Sequence, residues 1–103
     1  MSGNIDAQGS ATLDVGKNIV ASDMEELKGS FKQMIADGLV NLTLDCSRLE
    51  IIDSIGIGLL VATHNSLAQK SGTLKLINTS PDIYNLLTTM RLHKHFTVLP
   101  ASK

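Results

Sequence analysis

LVNLTLDCSRLEIIDSIGIGLLVATHNSLAQKSGTLKLI, residues 39–77, sets two alternating apolar runs on either side of a longer stretch of helical character. In the first run Val40, Leu42, Leu44 and Cys46 alternate with Asn41, Thr43 and Asp45. That period of two marks a strand with one face buried. From Ser54 to about Gln69 the pattern becomes helical, closed by Lys70 and by Gly72, a glycine that suits a helix C-terminal cap. Its apolar residues Ile55, Ile57, Leu59, Leu60, Val61 and Leu67 lie on more than one side, so this helix is expected deep against a sheet. TLKLI (73–77) then supplies the next strand. A strand, a helix and a strand in succession predict parallel pairing across a helical crossover.

The same reading extends outward. ATLDV (11–15) alternates and reads as a strand, with NIDAQ (4–8) as a candidate partner strand and Gly9-Ser10 as the turn between them. Ser22 or Asp23 is placed to cap a helix with Glu25 and Glu26 in its first turn, where the helix dipole favours negative charge. Met24, Leu27, Phe31, Met34 and Ile35 recur at three and four, a single stripe, and Asp37-Gly38 ends the helix. Ser80-Pro81-Asp82 opens a third helix with proline near its favoured first position, and Ile83, Leu86, Leu87 and Met90 form the expected buried stripe. FTVL (96–99) adds a last short strand. The order β(β)αβαβαβ predicts an α/β sheet.

Composition excludes several functions. A formal net charge of −1 gives no electrostatic reason to expect nucleic acid or an anionic membrane as partner. Phe31, Tyr84 and Phe96 are the only aromatics, too few for a base-stacking platform. The longest run free of strong polar residues, Ile55 to Ala62, is far short of the roughly 20 needed to span a bilayer. The opening MSGNIDAQGS has neither the basic patch nor the apolar stretch of a signal peptide, and Cys46 has no second cysteine to pair with. A cytoplasmic protein of one domain, residues 1–103 with a core over about 11–99, is the expectation.

Asp53-Ser54 is the stretch with chemical interest. It admits three readings: a helix cap, a nucleophile, or an acceptor for a mark written by another protein. Catalysis fits poorly. The hydrolase elbow G-x-S-x-G fails because Ile52 takes the first glycine position. His64 lies ten residues on, which along one helix is about 15 Å. Gly56-Ile57-Gly58 begins like G-x-G-x-x-G, but Val61 stands at the final position and the glycines lie inside the helix. With no Walker-type loop either, the chain has no visible means of binding ATP, and no cofactor is expected. His93-Lys94-His95 has metal-like spacing on an extended segment but lacks an identifiable third ligand, so no metal is expected. Cys46, ending an alternating strand, reads as a small core residue. The helix start itself welcomes a serine or aspartate as cap and is also a natural seat for a phosphate.

Residues 42–87, from LTLDCS through DSIGIG and LKLIN to the helix begun by Ser-Pro, resemble the STAS domain, specifically the bacterial anti-sigma-factor antagonists. The family pattern is a strand, a short apolar loop, then D-S-x-G-[LI] opening a helix, matched here by Asp53, Ser54, Gly56 and Ile57. The resemblance spans roughly residues 11–99. It implies a mixed β-sheet of four to five strands with helices mainly on one face, and a C-terminal helix shortened or absent. It also implies a non-enzymatic partner-switching role. The unphosphorylated protein would bind an anti-sigma factor that is also a serine kinase, phosphorylation of Ser54 would release it, and a phosphatase would restore it. Asp53, Ser54, Ile55, Gly56, Ile57 and Gly58 are the implied partner-binding residues, with Gly56 and Gly58 permitting close backbone approach to the sheet or to the kinase. GKNIVASD (16–23) departs from the family by placing Lys17 where an acid is common. The alternative is a STAS adaptor in another signalling or lipid-transport assembly, with Ser54 only a helix cap.

Overall fold

Side-chain alternation in the strands determines which face of the sheet becomes core. The computed structural model describes residues 5–101. Strands β1 (Ser10–Asp14), β3 (Asn41–Asp45), β5 (Thr73–Thr79) and β6 (Thr97–Pro100) form one sheet in that spatial order. Two-residue strands β2 (Asn18–Ile19) and β4 (Ile51–Ile52) pair separately. Every one of these pairings is parallel. The register aligns Leu13, Leu44, Leu76 and Val98 in one row and Ala11, Leu42 and Leu74 in the next, all buried. The intervening row, Thr12, Thr43, Lys75 and Thr97, faces the other way and is wholly or partly exposed.

Three helices join these strands: α1 (Met24–Ala36), α2 (Ser54–Ala68) and α3 (Pro81–Thr89). Each successive strand is added on the same side of the last, and parallel crossovers share one hand, so all three helices land on the same face. Leu27, Phe31 and Met34 of α1, Ile57, Leu60 and Leu67 of α2, and Ile83 and Leu87 of α3 meet the apolar rows there. This is the α/β architecture, with helices on one face, that the sequence predicts. No helix follows β6 among the described residues, and no antiparallel pair occurs among them.

Local expectations differ in four places. Residues 5–8 of the proposed partner strand form no strand; a turn at residues 7–8 leads into β1 instead, with Asp6 Oδ1 accepting from the backbone N–H groups of Gln8 and Ser10, and Asn4 lies outside the described residues. Neither Ser22 nor Asp23 caps α1 through its side chain. A 3₁₀ turn over Ala21–Asp23 leads into the helix, so Asp23 is not in the extended conformation a capping side chain requires. Leu86 and Met90 are not buried. They are 37% and 46% exposed, because the nine-residue α3 packs against β5, β6 and the 3₁₀ turn after it through a narrow stripe of Ile83 and Leu87. Finally, Gly72 is not the left-handed residue that ends α2; Ser71 is, at φ 60°. Gly72 is required for a different reason, because a Cβ there would overlap the carbonyl of Val40.

Candidate functional site

The N-terminus of α2 is built from two short segments brought together by β2 and β4. Ile19 pairs with Ile52, and both side chains are buried. The chain then turns at Asp53, whose extended backbone makes it the N-cap. Its Oδ1 accepts from the Gly56 N–H at 2.8 Å, satisfying a donor that the helix start leaves unpaired. Its Oδ2 accepts from the Ala21 N–H at 3.0 Å, 32 residues away. These two backbone donors hold the Asp53 carboxyl below the usual carboxylate range. One side chain therefore both starts α2 and ties the loop before α1 to it.

Because Asp53 is the cap, Ser54 is the first residue inside the helix. Its side chain is exposed and has no hydrogen-bond partner among the described residues. The reading of Ser54 as a cap is thereby corrected: the one-residue offset gives the capping role to Asp53 and leaves the serine hydroxyl unused by the fold.

The remaining motif residues divide by face. Gly56 and Ile57 turn inward, and a Cβ on Gly56 would overlap the Ile19 carbonyl and crowd its Cγ2. Ile55 and Gly58 turn outward. Ile55 is 55% exposed, a large apolar side chain left in water, and a Cβ on Gly58 would meet nothing within 4 Å. Between the two expected uses of the glycines, Gly56 serves approach to the chain's own β2, and Gly58 leaves open space. Met24, Lys28, Ile55, Gly58, Leu59 and Ala62 line a shallow groove of about 280 Å³ beside Ser54, where α1 and α2 meet. Met24 and Lys28 were not legible as site residues, since only the tertiary contact of two helices brings them there. The unsatisfied apolar surface of Ile55 is the one local signal of this groove.

No histidine lies beside Ser54 among the described residues. His64 lies ten residues along α2, about 15 Å away by helical rise. His95 packs against His64, ring centroids 6.3 Å apart, and His93 lines the same cleft, so all three histidines sit away from the serine. The segment carrying His93 is a 3₁₀ turn over Leu92–Lys94 rather than extended, with His95 directly after it. No group of three or more histidine, cysteine or acidic residues is arranged to hold a metal among the described residues. Cys46 is 1% exposed, and burial, reinforced by the charges of Asp45 and Asp14, pushes its thiol up to about 12. A thiol so protonated is a core residue, not a nucleophile. No described helix is long and apolar enough to cross a membrane.

These features describe a parallel α/β domain that offers a hydroxyl beside an exposed apolar side chain. The chain belongs to the STAS domain family, whose model matches residues 4–103. Solved structures share the fold. An anti-sigma factor antagonist from Mycobacterium paratuberculosis superposes with a TM-score of 0.79 at 24% identity, covering 92% of this chain and 80% of that one. The Bacillus cell fate determinant SpoIIAA in its phosphorylated form gives 0.73 at 15% identity, covering 93% and 87%. The murine Solute Carrier 26 family member A9 anion transporter gives 0.72 at 17% identity, covering 91% of this chain but 16% of the transporter. No curated protein matches the sequence closely enough to count as a relative.

Proposed function

We propose that this protein is a cytoplasmic anti-sigma-factor antagonist that works by partner switching through Ser54. In its unmodified state it docks an anti-sigma factor that is also a serine kinase. Transfer of a phosphoryl group from ATP bound by that kinase to Ser54 Oγ ends the contact, and a phosphatase restores it by hydrolysis. The observation that carries this reading is the free Ser54 hydroxyl, exposed at the first position of α2 while Asp53 does the capping. The similarity to an anti-sigma factor antagonist and to a phosphorylated SpoIIAA supports it.

Ser54, Ile55 and Gly58 form the docking edge, and Asp53, Gly56 and Ile57 position it from inside. A phosphate on Ser54 would place negative charge beside the Asp53 carboxylate at the helix N-terminus. The dipole there favours that charge while Asp53 opposes it, so the domain stays folded and its apolar docking edge gains negative charge. The adaptor reading, favoured by the similarity to a transporter domain, shares the fold but no longer explains Ser54 as a cap.

Incubation with ATP and the anti-sigma factor kinases of the source organism, followed by phosphosite mapping, tests the reading. One kinase should modify Ser54 alone and leave Ser54→Ala unlabelled. Ser54→Ala should still bind that kinase, and Ser54→Asp should bind it at least about tenfold more weakly, as a charge set in a docking edge predicts. Labelling elsewhere, or equal binding by Ser54→Asp, would overturn it.

A further inference from the structure

We propose that a second site, at the opposite end of α2 from Ser54, binds a phosphate monoester. The sequence has three histidines, and all of them line one cleft of about 210 Å³. His64 comes from α2, His93 and Lys94 from the 3₁₀ turn, His95 from the residue after it, and Thr73 and Thr97 from the first residues of β5 and β6. Buried Leu74 and Phe96 complete the lining. Contributions from three separate stretches of chain, residues 64, 72–74 and 93–97, make this a product of the tertiary fold rather than of one local turn.

The donor set selects an anion. No carboxylate lines the cleft, whereas a lysine, three imidazoles and the Thr97 hydroxyl do; the Thr73 hydroxyl already donates to Asn41 Oδ1 at 2.9 Å. The imidazoles surround the space without converging as a metal-binding trio, which suits a ligand with several oxygens better than a point cation. His64 adds a directional argument. Its Nδ1 is sealed from solvent with no hydrogen-bond partner among the described residues, so nothing there accepts a proton. A ring with its hydrogen on Nε2 leaves no buried donor unpaired at Nδ1 and makes Nε2 a donor. The tilted packing of His64 on Phe96, centroids 5.9 Å apart, and on His95 fixes that ring in place. A phosphoryl group has oxygens enough to accept from Lys94 and the imidazoles together. The cleft volume, several times the about 30 Å³ of a water molecule, leaves room for a short organic group as well.

Titration of the full chain at neutral pH and constant ionic strength, followed by amide and imidazole NMR shifts, tests the site with four probes: glycerol 3-phosphate, inorganic phosphate, acetate and Zn²⁺. Glycerol 3-phosphate should give saturable shifts confined to residues 64, 72–74 and 93–97, bind more tightly than inorganic phosphate, and leave acetate far behind. Lys94→Met and His95→Gln, both at exposed positions, should each weaken it at least about fivefold, the loss expected for a charge-assisted hydrogen bond. Lys32→Met, an exposed lysine on α1 outside the cleft, should change nothing. Non-saturating shifts scattered over surface lysines, tighter binding of inorganic phosphate or acetate, or unaltered binding by both cleft variants would overturn the proposal. So would tight Zn²⁺ binding that depends on His64 and His95.

Discussion

The first two turns of α2 have an inner face built into the fold and an outer face the fold does not use, and adjacent residues fall on opposite sides of that division. Asp53, Gly56 and Ile57 are held by the Ala21 amide, the Ile19 backbone and the core; Ser54, Ile55 and Gly58 touch little. Stability and binding should therefore separate cleanly between neighbours. A motif that looks like one unit in sequence is two sets of residues in space.

The largest effect should come from Gly56→Ala. The added methyl meets a backbone carbonyl rather than a side chain that can swing aside, so the cost should reach about 3 kcal/mol, at the upper end of overpacking. Urea denaturation would register it as a lower midpoint. An unchanged midpoint would mean that α2 and β2 can part freely, and the inner face would lose its meaning.

Asp53→Ala should come next, since it removes the acceptor for two backbone amides and loosens the loop before α1. Its pH signature is specific. The Asp53 carboxyl has a folded-state pKa below the unfolded value of about 3.9, so its contribution is present above that value. It is lost as pH falls through the lower folded value, as are those of Asp14 and Asp45, whose carboxyls are depressed by backbone donors in the same sense. Wild-type stability should thus decline with acid below about pH 4, and Asp53→Ala should flatten that decline. An equally steep acid limb in the variant would deny Asp53 its role as the tie between the segments.

Gly58→Ala should act in the opposite direction, stabilising the helix by up to about 1 kcal/mol because open space surrounds the new methyl. The same substitution should weaken docking of the proposed kinase partner, which distinguishes the outer face most sharply. Ser54→Ala should be the smallest change, within about 0.5 kcal/mol, because no bond of the fold is lost. A clear fall in thermal midpoint for Ser54→Ala would restore the capping explanation.

How far the sequence foretold these two faces depends on the range of the interaction. The strands and helices of the sheet were legible because Leu42, Leu44, Leu74 and Leu76 alternate and Leu27, Phe31 and Met34 recur on one side of a helix. β2 and β4 were not, since two residues cannot display a period. The Asp-Ser pair announced a helix start, yet propensity alone does not decide which of two adjacent polar residues occupies the cap. Asp53 wins here through its bond to Ala21, a partner no local pattern reveals. The histidine cleft was invisible for the same reason: His64 and His95 are neighbours only after β5 and α3 have been laid between them.

The double bond of Asp53 has a consequence for recognition. Since one carboxylate joins the loop at Ala21 to the first turn of α2, a partner landing on this edge meets two segments whose relative position is already set. Little backbone freedom remains to be surrendered on contact, so more of the contact energy survives as affinity. Severing that joint should leave the contacting residues in place yet slow their encounter and hasten their parting.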